Sequence, residues 1–108
     1  MSYKVLTIPK FDKDIKQLAK KYPSIKQDVA NLGKLLEDNP EMGDEVIQNC
    51  YKIRMAITSK GKGKSGGARV ITHILIEQEN VFLLSIYDKS KKEDIPDNEI
   101  KDLLKTIK

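Results

Sequence analysis

The residues best suited to chemistry lie between Lys60 and His73. The stretch reads Lys-Gly-Lys-Gly-Lys-Ser-Gly-Gly-Ala-Arg-Val-Ile-Thr-His. Lys60, Lys62 and Lys64 alternate with glycines, and the pattern then turns into a β-type run that opens with Arg69. Lysine and arginine supply countercharge for a phosphate, and arginine can grip one with two parallel hydrogen bonds. Glycine lets the backbone come close to an anion and take φ > 0. These residue types point to a polyanion site. The same makeup also serves ordinary solvated hairpin connections, so the loop alone leaves both readings open. A P-loop is excluded. Gly63-Lys64-Ser65 matches the end of that motif, but its leading glycine falls at Thr58, and a strand pattern follows where a helix must open.

Other candidates flank this stretch. From Asn49 to Thr58 the apolar residues Tyr51, Ile53, Met55 and Ile57 alternate with Lys52, Arg54, Ala56 and Thr58. Period-two alternation predicts a strand with Lys52 and Arg54 together on one face. Ala68 to Ile76 is apolar on both faces and reads as a central strand, on which Arg69 shares a face with Ile71, His73 and Leu75. An arginine there is costly unless it is paired or reaches solvent, which makes Arg69 the foremost candidate. His73, the sole histidine, reads as a hydrogen-bonded core residue. Val81 to Tyr87 is a third consecutive strand, and Asp88 to Asp94 leaves it carrying Lys89, Lys91 and Lys92.

These residues need a scaffold. Tyr3 to Ile8 reads as a strand stopped by Pro9. Phe11, Ile15, Leu18, Ala19 and Tyr22 recur at helical spacing up to Pro23. Ser24 and Gln27 form a capping-box pattern for a second helix. It carries Val29, Leu32, Leu35 and Leu36 and ends near Asn39, before Pro40. The short link between them predicts a helical hairpin. Glu41 to Gln48 reads as a loop pivoting on Gly43. Ile100, Leu103, Leu104 and Ile107 mark a closing helix, with Asp94 or Asp97 as its cap and Pro96 in the entry. The expected class is α+β in the order β-α-α-β-β-β-α. The hairpin backs a small, mostly antiparallel sheet, and the far face is left to Lys52, Arg54 and Arg69.

Composition sets the outer bounds. With 108 residues, one domain spanning 1–108 is expected. The net charge of +4 makes an anionic partner electrostatically easier than a cationic one. One cysteine, Cys50, allows no intramolecular disulfide and no zinc-ligand spacing. The apolar run before Pro9 is too short for a signal-peptide core or a membrane span, so a cytoplasmic protein is expected.

Three segments together resemble the RelE/ParE superfamily of toxins, especially its HigB-like branch. Cys50-Tyr51-Lys52-Ile53-Arg54-Met55 is similar to the basic strand of RelE-type toxins. Gly61 to Ile71 and Ile86 to Ile95 are similar to the loop, strand entry and final strand exit of the HigB-like branch. The resemblance implies the toxin of a type II toxin–antitoxin module. Its activity would be metal-independent, ribosome-dependent mRNA cleavage, with the ribosome, mRNA and a cognate antitoxin as partners and no cofactor. It places Lys52, Arg54, Arg69 and Lys89 at basic active-site positions. Near the family's C-terminal tyrosine this chain has Ile95, with Tyr87 as the nearby substitute. On this reading Arg69 stabilises the transition state, and Arg54 and Lys89 clamp phosphate. Tyr87 is a base or stacking platform, and Lys52, Lys60, Lys62, Lys64, Lys91 and Lys92 bind RNA. The alternatives are a ParE-like gyrase poison, a decayed toxin, or a non-catalytic nucleic-acid or antitoxin-binding module. The absence of Trp, and of Phe from the basic segments, leaves few platforms for stacking single strands.

Overall fold

A computed structural model describes residues 2–92 and 94–107. The elements run in the order β1 (Lys4–Thr7), α1 (Pro9–Lys21), α2 (Ile25–Asp38), β2 (Asp44–Ile47), β3 (Cys50–Met55), β4 (Ala68–Leu75), β5 (Asn80–Asp88) and α3 (Asp97–Leu104). Short 3-10 turns follow β3 and β4, at Thr58–Lys60 and Ile76–Gln78. The strands form one sheet in the order β1-β5-β4-β3-β2. β1 pairs with β5 in parallel, and the remaining pairs are antiparallel.

α1 begins at Pro9, whose fixed φ and missing N–H suit a first helical position. The hairpin covers one sheet face and buries Phe11, Ile25, Leu32 and Leu36 against Ile53, Val70 and Ile86. Burial of this order explains why two short helices hold without help from their caps. The predicted capping box does not form. Ser24 takes helical dihedrals and makes no cap hydrogen bond. Its hydroxyl instead donates to Asp28 at 2.8 Å, and Gln27 donates to Asn31 at 3.0 Å. Asp97 likewise does not cap α3: Pro96 occupies the cap position, and the Asp94 carboxylate accepts from the Ile95 N–H at 2.9 Å.

The expected loop at Glu41 to Gln48 contains a strand. β2 pairs Asp44 with Lys52, Glu45 with Tyr51 and Ile47 with Cys50 across a two-residue turn. Asn49 takes φ +63 in that turn, a conformation asparagine tolerates better than most residues. Asp and Glu are poor strand formers and the segment spans four residues, so no periodicity betrays it. Gly43, with φ +95, precedes it; a Cβ there would overlap the Lys52 carbonyl.

The far face is not left wholly open. Ile95 and Ile100 are buried, and α3 packs Leu104 and the following Ile107 near His73, Leu75 and Phe82 of that face. The cationic end of β3, β4 and β5 remains beyond this cover.

Candidate functional site

The site rests on a row across three strands. Arg54 of β3 pairs with Arg69 of β4, which pairs with Tyr87 of β5. Residues directly opposite one another share a sheet face. Two positions along, Lys52 pairs with Ile71, and Ile71 with Ser85. Lys52, Arg54, Arg69 and Tyr87 therefore share the face away from the helical hairpin. The register shifts in β5 so that Ile71 faces Ser85 while Thr72 faces Leu83. This bulge gives β5 an extra residue, Leu84, and decides that Tyr87 and Phe82, not Leu83, lie on the basic face.

Arg69 does not stand open at the mouth of its strand. It is 3% exposed. One guanidinium nitrogen donates to the carbonyls of Lys64 at 2.9 Å and Ala68 at 3.1 Å, and the other reaches that of Ser65 at 3.4 Å. Among the described residues no carboxylate pairs with it. A buried cation is tolerated when hydrogen bonds replace its hydration, and three loop carbonyls do that here. The Lys/Gly loop is thus wrapped around Arg69. Gly67 closes the loop against β3, where a Cβ would overlap the Met55 carbonyl.

Tyr87 is 8% exposed, and its hydroxyl has no hydrogen-bond partner among the described residues. Burial pushes its pKa up to about 12; the nearby Asp94 carboxylate adds to the shift and Arg69 opposes it. The phenol therefore carries its proton at neutral pH. The Lys92 ammonium lies 5.6 Å from the ring centroid. Lys52 lies 3.5 Å from Asp94, in a half-exposed pair.

Lys60 is not exposed with Lys62 and Lys64 but is held in an ion pair. Its ammonium donates to Asp88 at 2.8 Å and to Ser90 at 3.2 Å, and it lies 5.6 Å from the Tyr22 ring. Tyr22 donates to the other Asp88 oxygen at 2.6 Å. The Ser90 hydroxyl and backbone N–H donate to Asp88 at 2.8 and 3.0 Å. Burial alone would raise the Asp88 pKa, but the hydrogen bonds from Lys60, Tyr22 and Ser90 outweigh it and hold the carboxyl well below the usual range. The same bond to Asp88 raises the pKa of Lys60. Met55, Ala68 and Asp88 are in register on the hairpin side, so this cluster lies across the sheet from the arginine row.

The other lysines are placed as follows. Lys62 and Lys64 are exposed on the loop, and Lys91 and Lys92 are exposed beyond β5. Lys89 is half-buried, and its backbone N–H donates to the Gly67 carbonyl at 3.1 Å, tying the loop's end to the strand exit. Glu93 of that exit lies outside the described residues. Lys52, Arg54 and Lys64 line a shallow hollow of about 390 Å³, which Asp44 also touches. The structure thus gathers Lys52, Arg54, Arg69 and Tyr87 in one row and its flank, brings Lys64 and Lys92 to its margins, and removes Lys60.

His73 sits four residues along β4 from Arg69, about 13 Å at strand rise. Its Nδ1 is 3.4 Å from the buried Cys50 thiol, and burial lowers its pKa. Burial, with the Glu45 carboxylate, pushes the Cys50 thiol up to about 11, so the pair is neutral. Among the described residues no three His, Cys, Asp or Glu side chains gather as a metal site, and no helix is long and apolar enough to cross a membrane. Sequence reading missed the Asp88 cluster and Asp28, which accepts from the Thr58 hydroxyl at 2.6 Å and the Thr58 N–H at 2.9 Å. No spacing joins residues 28 to 66 positions apart, so only the fold brings them together.

No family model matches the sequence. Solved structures do match the fold. The isolated RelE toxin of E. coli superposes with a TM-score of 0.58 at 18% identity, over 99% of this chain and 100% of that one. A double arginine-to-alanine mutant of the same toxin, in the free state, gives 0.62 at 18% identity, over 86% and 90%. This chain has the RelE fold. A chain of the toxin–antitoxin complex RelBE2 from Mycobacterium tuberculosis shares it, with a TM-score of 0.59 at 14% identity, over 82% and 92%. The RelE fold comprises the hairpin-backed, mostly antiparallel sheet and C-terminal helix expected from the sequence, with β2 as the strand that reading did not foresee.

Proposed function

We propose that this chain is the toxin of a type II toxin–antitoxin module and cleaves mRNA on the ribosome. The observation that carries the proposal is the row Arg54–Arg69–Tyr87, two cations and a protonated phenol in register on the face turned away from the helical hairpin. The likeness to RelE and RelBE2 structures supports the toxin reading and an antitoxin partner.

The chemistry suited to these groups is transesterification by the substrate's own 2′-hydroxyl. Its oxygen attacks the adjacent phosphorus, the bond from phosphorus to the 5′-oxygen breaks, and a 2′,3′-cyclic phosphate and a 5′-hydroxyl result. Arg54 and Arg69 face the charge that develops on the phosphorane. Tyr87 gives its proton to the leaving 5′-oxygen. Lys52 and Lys89 hold the phosphate, the 2′-hydroxyl proton passes to solvent or to a group of the ribosome, and solvent returns the proton that Tyr87 gives. Lys62, Lys64, Lys91 and Lys92 hold the RNA backbone. Arg69 reaches substrate by exchanging its loop carbonyls for phosphate oxygens, which couples RNA entry to movement of the Lys/Gly loop. The ribosome holds the reacting groups in line, and such positioning can lower a barrier by roughly 7–11 kcal/mol.

The test is induction of wild type and Arg69→Ala in a bacterial host, with 5′ ends mapped on a translated transcript. Cuts that depend on translation and vanish in the variant are expected. Growth arrest without cuts overturns the nuclease and moves the target toward gyrase.

A further inference from the structure

Two basic segments meet beside Arg69: the Lys/Gly loop, which carries Lys62 and Lys64, and the exit of β5, which carries Lys89, Lys91 and Lys92. Like charges push such segments apart. Two ties hold them together. At the loop's end the Lys89 N–H donates to the Gly67 carbonyl at 3.1 Å. At its start Lys60 donates to Asp88 at 2.8 Å and to Ser90 at 3.2 Å, and both partners belong to the end and exit of β5. The Lys60 and Asp88 side chains are 11% and 3% exposed, so salt screens this pair far less than a surface pair. Each partner is itself fixed. Lys60 ends the Thr58–Lys60 turn, which Asp28 and Ser24 pin to α2 and its start by accepting from the Thr58 N–H at 2.9 Å and the Ser59 N–H at 2.8 Å. The Asp88 carbonyl accepts from the N–H groups of Lys91 and Lys92 at 3.0 and 3.1 Å, which folds the exit back on the strand end.

Lys60 has the residue type and the sequence position of a phosphate ligand, yet its ammonium is engaged by Asp88 and Ser90. A buried ion pair is a weak source of stability and well suited to fixing one arrangement of the chain. We propose that Lys60 is a positioning residue: through Asp88 and Ser90 it sets the spacing between the Lys/Gly loop and the β5 exit, so that their exposed lysines receive one RNA backbone together. Holding these segments in place beforehand lowers the ordering cost that binding must otherwise meet. Asp88, an acid among basic residues, then assists RNA binding although its charge repels phosphate. The proposal rests on the reading of both segments as RNA-holding for its consequence, but not for the tie itself.

The experiment compares the full wild-type chain with Asp88→Asn, Lys60→Met, the double variant Lys60→Met with Asp88→Asn, and the milder Ser90→Ala. Each is studied at a temperature where its unfolding curve shows it folded. Binding of a labelled single-stranded RNA oligonucleotide is titrated across salt. Charge alone predicts that Asp88→Asn, which removes a negative charge, tightens binding. Positioning predicts that it weakens binding, by about fivefold. The double variant, whose net charge equals that of wild type, weakens it by a similar factor, and Ser90→Ala by less. The slope of log affinity against log salt keeps its wild-type value in Lys60→Met, where loss of a phosphate contact would lower it by about 0.7. Without RNA, NMR order parameters at the Gly61 and Lys89 amides fall in Asp88→Asn and in the double variant, while that of Ile71, in the middle of β4, stays the same. Tighter or equal binding by Asp88→Asn overturns the proposal. So does a slope lowered by about 0.7 in Lys60→Met, which makes Lys60 a phosphate ligand. Order parameters unchanged at Gly61 and Lys89 overturn the tie. Failure of the RNA to bind wild type counts against the proposed function, while the order parameters still decide whether Lys60 ties the segments.

Discussion

Two charged clusters flank the same sheet and differ in how they are satisfied. On the hairpin side Asp88 accepts from Lys60, Tyr22 and Ser90, so opposite charges and hydrogen-bond donors are matched. On the far side, among the described residues, Arg69 meets only carbonyls and the Tyr87 hydroxyl has no partner, and Arg54 is exposed. The first arrangement holds a fold together. The second leaves the Arg69 charge without a carboxylate partner and the Tyr87 proton without an acceptor among the described residues, groups that a ligand could engage. Lys60 and Lys64 lie in one short sequence run, yet they fall in opposite categories.

Substitutions separate the clusters. Arg69→Ala is expected to lower the cleavage rate on a translating ribosome by about 10²–10³-fold, the usual effect of removing a donor to a developing oxyanion. Single-turnover rates check it, and a rate within threefold of wild type makes Arg69 a loop brace only. Asp88→Asn strikes the matched cluster and should cost about 3 kcal/mol, because Lys60 loses its buried counterion. Denaturant unfolding reads this directly. A stability equal to wild type would mean that the cluster is idle.

The pH dependence has a defined sign. The Asp88 pKa is lower in the folded chain than in the unfolded one, so its contribution is complete above the unfolded value, about pH 4. It is lost as pH falls through the depressed folded value. Acid melts of wild type and Asp88→Asn should therefore converge at low pH, and parallel curves would contradict the assignment.

Tyr87→Phe sharpens the contrast further. It removes a buried hydroxyl with no partner among the described residues, so stability stays the same or rises by up to about 1 kcal/mol. Cleavage should nevertheless fall, by about 10²-fold if the phenol is the acid. Loss of both stability and activity would place Tyr87 among the structural groups. The smallest effect belongs to the loop: Lys62→Ala or Lys64→Ala should reduce the slope of log affinity for single-stranded RNA against log salt by about 0.7 each. Salt titrations that leave the slope unchanged would remove that lysine from the RNA path.

Much of the scaffold was legible because it follows from local periodicity. The stripes Phe11–Ile15–Leu18 and Ile100–Leu103–Leu104 predict the helices that carry them. The alternation from Tyr51 to Met55 predicts β3 with Lys52 and Arg54 on one face. β2 was hidden because Asp44 and Glu45 disfavour strands, and its pairing depends on a left-handed Asn49. The candidate site was only half legible. Arg69 stood out as a charge in an apolar strand, but its three carbonyl partners and near-complete burial did not.

The sequence alone determined the residue types available, the element order apart from β2, and the face on which Lys52 and Arg54 lie. These depend on neighbours a few positions apart, where backbone geometry fixes direction. The tertiary structure alone decided which charges are spent. Lys60 and Asp88 meet across 28 positions, and Tyr22 and Asp88 across 66. A bulge in β5 turns Tyr87 onto the arginine row. Those outcomes depend on strand register and on what burial makes costly, and both emerge only when the whole sheet is assembled.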